Sequence, residues 1–311
     1  MSVLICGSLA YDTIMVFPDR FREHILPDKL HMLNVAFLVP EMRREFGGTA
    51  GNIAYNLNGL GGDARIMATV GDDFAPYLER LRGLGLCTDH VLQVPGTYTA
   101  QAFITTDLDD NQITAFHPGA MNLSHLNTVL DARDVELAVI APDGRDGMFR
   151  HARELADAGI PFLFDPGQGL PMFSGEELMG FIRDAHYLAV NDYEAQLLQQ
   201  KTGRSLESLA QEVRALVVTF GGKGSQIHAG GNLFQIPAVA PRALVDPTGC
   251  GDAYRAGLLY GITRGLDWDT TGRLASLLGS LKIAERGAQN HRVVRSDIES
   301  AFRESFGRSF G

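Results

Sequence analysis

The chain is poor in cysteine: Cys6, Cys87 and Cys250 are the only three in 311 residues, and they lie far apart. That gives no disulfide framework and no metal-type spacing, and it suits a reducing compartment. Positive charge is also short, with 27 Lys and Arg against 37 Asp and Glu and a net charge of -10. A nucleic-acid binder that works by neutralising phosphates over a broad surface is therefore disfavoured, although a small phosphorylated ligand held by local dipoles is not. No apolar run is long enough to span a bilayer. The opening MSVLICGSLAYD has no basic segment before its short apolar run, so it reads as a strand and not a secretory signal, and the expected location is the cytoplasm. Internal repeats, low-complexity tracts and Ser/Gly linkers are missing too. The first strand lacks a following GxGxxG, which disfavours a dinucleotide oxidoreductase, and no GxxxxGK[ST] order occurs anywhere.

What is present is ordinary globular composition, 45% hydrophobic and 21% charged, in a chain longer than the usual single domain. Short β-rich runs at 135–142 (VELAVIAP), 161–167 (PFLFDPG), 185–192 (AHYLAVND) and 215–222 (ALVVTFGG) alternate with stretches of helical period such as GMFRHARELADAG. This is the βαβ signature of a mainly parallel sheet with helices on both faces. Each run ends in a polar or glycine-rich tail, and open α/β sheets bind ligands beyond the carboxyl ends of their strands. Two irregular stretches, about 13–45 and 97–118, break the pattern. The second alternates like a hairpin turning at DLDDNQ. Together they make either a small β-rich lid or ordinary strands and loops.

Five constellations carry candidate chemistry. In REFGGTAGNIAYNLNGLGG, Gly47 and Gly48 allow close backbone approach, and the Asn52 amide both donates and accepts, as a diol requires; a helix start with an incidental Asn fits the spacing as well. Asp12, read as the end of the first strand, is a natural grip for vicinal hydroxyls or else a cap or turn acid. Asn191 and Glu194 in NDYEA either orient waters around magnesium or form a capping box. Thr219, Gly221, Gly222 and Gly224 in VVTFGGKG either bring amides against a nucleotide phosphate or make a tight hairpin.

The most specific stretch is VDPTGCGDAYRAG, where Gly249, Cys250 and Gly251 precede Asp252 at a helix start. Converging amides there would form an anion hole, and Asp252 would stand beside it as a general base.

These residues resemble the ribokinase-like family, also called the PfkB family. VDPTGCGDAYRAGLLYG is similar to its C-terminal signature, EFGGTAGNIAYNLNGLGG to its N-terminal one, and NDYEA and TFGGKG follow in the family's order. GSLAYDTIM, ITAFHPGA and FDPGQGLP resemble the bacterial nucleoside kinases often labelled adenosine kinases. The resemblance implies a three-layer α/β/α domain over 1–311 with a small β-rich lid, and ATP-dependent phosphorylation of the 5′-hydroxyl of a purine nucleoside. It implies Asp252 as base, Gly249, Cys250 and Gly251 as anion hole, and Asp12, Gly48 and Asn52 on the ribose. Asn191 and Glu194 would govern Mg2+ and phosphate, and Thr219, Gly221, Gly224 and Gly251 would hold ATP, with adenine against GRLASLLGSLKIAERGA. A monovalent cation, K+, is implied near Asp246, Thr248 and Gly287.

Phe37, Phe103 and Phe116 are either core residues or an aromatic lid, and a lid of that kind favours a base-bearing substrate over a free sugar such as ribose or fructose. Gln112 and Gln168 are candidates to read the base edge. Cys250 stands where the family more often has alanine, which raises the expectation of a thiol sensitive to oxidation or alkylation. The expected partners are the nucleoside and ATP, with no nucleic acid and no membrane, acting on a monomer or homodimer.

Overall fold

A computed structural model describes residues 2–25, 35–109 and 111–311. The segment 26–34, part of the first irregular stretch, lies outside the described residues. The strands are β1 (Ser2–Cys6), β2 (Ala10–Val16), β3 (Glu41–Gly47), β4 (Asp63–Val70), β5 (Cys87–Gln93), β6 (Ala100–Thr106) and β7 (Gln112–His117), followed by β8 (Val135–Ile140), β9 (Phe162–Phe164), β10 (Tyr187–Asn191), β11 (Ala215–Thr219), β12 (Ser225–Ala229) and β13 (Asn232–Ile236).

Nine of them form one sheet in the order β13-β12-β11-β10-β9-β8-β1-β4-β5. Pairing is parallel from β11 through to β5, and only the β11-β12-β13 edge is antiparallel. The parallel strands are apolar on both faces because helices cover both. In β1, Val3 and Ile5 point into one core with Leu57, Leu258 and Leu278, while Leu4 and Cys6 point into the other with Phe162, Phe181 and Leu198. Alternate residues of one strand thus anchor two hydrophobic layers. The four runs read as strands in the sequence are β8, β9, β10 and β11.

A separate four-stranded sheet, β3-β2-β6-β7, matches the small β-rich lid. Its β6-β7 hairpin turns at the polar segment, where Asp107 accepts from the backbone N–H groups of Phe21 (2.9 Å), Asp109 (3.0 Å) and Asn111 (2.8 Å). β1 lies where the strand order reverses, with β4 on one side and β8 on the other. The chain leaves its carboxyl end through Gly7 and Ser8 directly into β2, so the lid is rooted in the crevice that such a reversal creates. Among the described residues no helix is long and apolar enough to cross a membrane.

The helix Cys250–Thr263 packs closely on the helix Trp268–Ile283 because Gly257 has no side chain. A Cβ at that position would stand 2.5 Å from Ala275 Cα. Gly257→Ala is therefore expected to cost about 1–3 kcal/mol through forced separation of the two helices. Urea titration checks this as a lower midpoint at unchanged slope.

Candidate active site

The helix Cys250–Thr263 begins at Gly249, whose φ of 79° is a left-handed conformation that favours glycine, and it carries Asp252 in its first turn. Asn52, 4% exposed on the helix Thr49–Gly59, donates from Nδ2 to Asp252 Oδ2 at 2.8 Å. The orientation of that amide is fixed from behind. Gln289 Nε2 donates to Asn52 Oδ1 (3.0 Å) and to the Tyr77 hydroxyl (2.6 Å), which in turn donates to Gly47 O at 2.7 Å. Burial pushes the Asp252 carboxyl up to about 7, against the Asn52 hydrogen bond, and Asp165 adds to the rise. Part of Asp252 stays accessible from the crevice.

Asp12 is not the end of the first strand. That strand stops at Cys6, and Asp12 is the third residue of lid strand β2, since the chain turns at Gly7 before pairing resumes. Gly47 and Gly48 lie beside it: a Cβ on Gly47 would be 2.6 Å from Asp12 Oδ2, and one on Gly48, where φ is 86°, would be 2.5 Å from Ser8 O. No hydrogen-bond donor reaches the Asp12 carboxylate among the described residues. Desolvation and the neighbouring Asp246 and Glu45 carboxylates raise it to about 6. It is an acceptor pair waiting for donors.

Behind Asp252 sits a buried ion pair absent from the sequence reading. Arg255, 4% exposed, donates from Nε and Nη2 to the two oxygens of Asp165 at 3.0 and 3.1 Å. Its Nη2 also lies 4.0 Å from Glu194 Oε2. Glu194 and Asn191 form the capping box in full: Asn191 Oδ1 accepts from Glu194 N–H at 2.7 Å, and Glu194 Oε2 accepts from Asn191 N–H at 2.8 Å. Burial and Asp165 raise the Glu194 carboxyl, whose Oε1 accepts no hydrogen bond among the described residues. A carboxylate oxygen left in this way suits a hard cation that keeps most of its waters. No cluster of three or more His, Cys, Asp or Glu able to cage a metal occurs among the described residues.

The VVTFGGKG segment makes the tight turn between β11 and antiparallel β12, with Gly221 at φ 55° and Gly224 at φ 93°. Thr219 closes β11, and the amides of Phe220, Lys223 and Gly224 are used inside the turn. Those of Gly221 and Gly222 have no acceptor among the described residues. In the other loop, Cys250 departs from expectation on two counts. Its N–H donates to Pro247 O at 3.1 Å, which leaves Gly249, Gly251 and Asp252 as the amides without an acceptor. Burial pushes its thiol up to about 11, which disfavours the thiolate that alkylation requires.

Asp246, Thr248 and Gly287 do come together. Asp246 Oδ1 accepts from Thr248 N–H at 2.9 Å and Oδ2 from Gly287 N–H at 2.8 Å. Lys282, missed in the sequence reading, donates from Nζ to Asp246 O at 2.7 Å.

The lid aromatics separate. Asp12 pairs with Ala102 and Ala102 with Phe116, so Asp12 and Phe116 share a face, whereas Phe103 is one residue out of phase and lies on the other. Phe116 is 53% exposed, and Gln112 is exposed at the start of the same edge strand. Phe37, half-buried, packs against Phe17 and Phe21 at centroid distances of 4.7 and 5.0 Å. Gln168 is exposed on the short 3-10 turn after β9, three residues past Asp165. A surface cavity of about 400 Å³ lined by Phe46, Pro76, Glu79 and Arg80 contains none of the candidate catalytic side chains.

Comparisons with known proteins bear on this arrangement. Residues 9–294 match the pfkB family carbohydrate kinases. The nucleoside kinase of Burkholderia thailandensis in complex with inosine is 56% identical, with a TM-score of 0.90 over 99% of this chain and 99% of that chain. The same enzyme in complex with ADP-inosine is 58% identical, with a TM-score of 0.88 over 99% and 97%. A nucleoside kinase of Methanothermobacter thermautotrophicus is 32% identical over 313 aligned positions, 98% of this chain and 96% of its own.

The Arg255–Asp165 pair has a testable energetic signature. Arg255→Leu leaves the Asp165 charge buried and alone, and is expected to cost about 3–5 kcal/mol. Adding Asp165→Leu removes the stranded charge and recovers part of that loss in urea unfolding.

Proposed function

The chain belongs to the pfkB family of carbohydrate kinases, phosphotransferases with an alcohol acceptor, and from that premise we propose that it is an ATP-dependent nucleoside kinase. It has the ribokinase-like three-layer α/β/α architecture with a small lid sheet. On this reading it transfers the γ-phosphoryl group of ATP to the 5′-hydroxyl of a purine nucleoside, with adenosine, inosine and guanosine as the candidate acceptors.

The observation that carries the proposal is the pairing of two unlike carboxylates across one crevice. Asp252 sits at a helix N-terminus, desolvated to about 7 and oriented by Asn52. Asp12, on lid strand β2 and near enough for its charge to raise the Asp252 carboxyl, meets no donor among the described residues. A ribose supplies what each lacks: its ring hydroxyls donate to Asp12, and its 5′-hydroxyl gives its proton to Asp252. The freed oxygen attacks the γ-phosphorus as the bond to the β–γ bridging oxygen breaks, and ADP leaves with that electron pair. Amides at Gly249, Gly251 and Asp252, at the positive end of the helix, lower the energy of the phosphoryl charge in flight.

Thr219, Gly221 and Gly224 are assigned to the ATP phosphates. Asn191 and Glu194 are assigned to magnesium, with Glu194 Oε1 holding its waters; the ion would neutralise charge on the β- and γ-phosphates. Phe116, on the Asp12 face, offers a stacking surface that a purine uses and a free sugar does not. That the similar Burkholderia enzyme was solved with inosine supports a base-bearing acceptor.

The test is ATP consumption with adenosine, inosine, guanosine, cytidine, ribose and fructose as acceptors. Turnover of purine nucleosides is expected, and turnover of free sugars alone would overturn the reading. Asp252→Asn should lower kcat by about 100- to 10,000-fold with the fold intact. Because the base must be ionised, kcat/KM should fall roughly tenfold per pH unit below a limb near 7.

Stability carries the opposite sign. The native Asp252 carboxyl binds its proton more tightly than the unfolded chain does, so its contribution is full below the ordinary carboxylate value of 3.8 and is lost as pH rises through about 7. Asp252→Asn, which cannot ionise, should lose less stability than the parent between pH 4 and about 8.

A further inference from the structure

The last turn of the helix Trp268–Ile283 carries a lysine that does not behave as a surface lysine. Lys282 is 0% exposed, yet no carboxylate pairs with it among the described residues. Its ammonium instead donates to two main-chain carbonyls, Asp246 O at 2.7 Å and Glu285 O at 3.1 Å. A buried ammonium is costly unless its hydrogen bonds are satisfied, and carbonyl dipoles with the negative end of a helix are a cation's natural surroundings. Both carbonyls belong to segments that the Asp246 carboxylate also ties together through Thr248 and Gly287. One of these segments runs straight into Gly249 and the turn bearing Asp252.

This is the neighbourhood in which the family resemblance led to the expectation of potassium. A metal ion and an ammonium cannot share the Asp246 carbonyl comfortably, since two like charges a few ångström apart repel strongly in a partly buried site. The residues present therefore do not fit the free ion. We propose that Lys282 is a tethered monovalent cation: its ammonium holds the 246–251 loop against the 283–287 turn, so that turnover needs no potassium. Lys282 is a positioning residue, acting through the loop and touching neither substrate. The proposal rests on the kinase reading for its effect on rate, but its structural half can be read without turnover.

The experiment compares the full chain in potassium chloride and in tetramethylammonium chloride at equal ionic strength, with ATP, magnesium and inosine. The parent should work equally well in both, within about twofold, and melt at the same temperature in both. Lys282→Ala, which removes the ammonium and opens space for an ion, should lose roughly tenfold or more in kcat with little change in KM in tetramethylammonium. It should regain activity, and rise in melting temperature, with potassium or ammonium.

Lys282→Met fills the volume without the charge and should be poor in both salts, without rescue. Severalfold activation of the parent by potassium overturns the proposal, as does a folded Lys282→Ala that is fully active without it. If the alanine variant does not fold, the parent's response and the methionine variant decide. Absence of turnover by the parent with every acceptor sinks the kinase reading instead, while the salt dependence of melting still tests Lys282.

Discussion

The geometry of the crevice depends on one hydrogen bond, from Asn52 Nδ2 to Asp252. It joins the helix that follows the lid strand β3 to the helix that carries the acid, two elements 200 residues apart in the chain. An amide can face either way, and the wrong orientation would set an oxygen against a carboxylate. Gln289 removes that choice by spending both of its N–H bonds on Asn52 Oδ1 and Tyr77, and Tyr77 closes the chain on Gly47 O. Reach, orientation and the position of the lid root are therefore set together.

The rest of the site is arranged around charges whose surroundings differ by design of the fold. Arg255 and Asp165 satisfy one another in a bidentate pair, and Glu194 is held by its own helix cap. Asp12 and Asp252 are left under-satisfied, and both are raised by burial. The supporting Asp165 carboxylate accepts on both of its oxygens, whereas the Asp12 carboxylate, which would meet a ligand, accepts no hydrogen bond among the described residues.

Much of this was legible in the sequence where the signal is local. The strands β8 to β11 announced themselves by short apolar runs with polar tails, and the TGCGD turn by glycine, acid and helix in succession. Asn191 and Glu194 were read as a capping box or an ion site, and the box is present. What stayed hidden is long-range. Arg255 and Asp165 are 90 residues apart, and Gln289 and Tyr77 are 212 apart, so no spacing rule could join them. Asp12 was misplaced by one strand because Gly7 interrupts an otherwise continuous run, and a single residue of phase separates Phe116 from Phe103 on the lid. Lys282, near a helix end with polar neighbours, looks like a solvated lysine until the fold closes over it.

The chain of amides behind Asp252 also fixes which way a proton can travel. Asn and Gln side chains donate but do not readily pass protons on, so the Asn52 contact gives Asp252 Oδ2 no proton path inward. Its outer side remains open to the crevice. If Asp252 is the base proposed above, a proton it takes up leaves toward the crevice, the side from which a product would also depart.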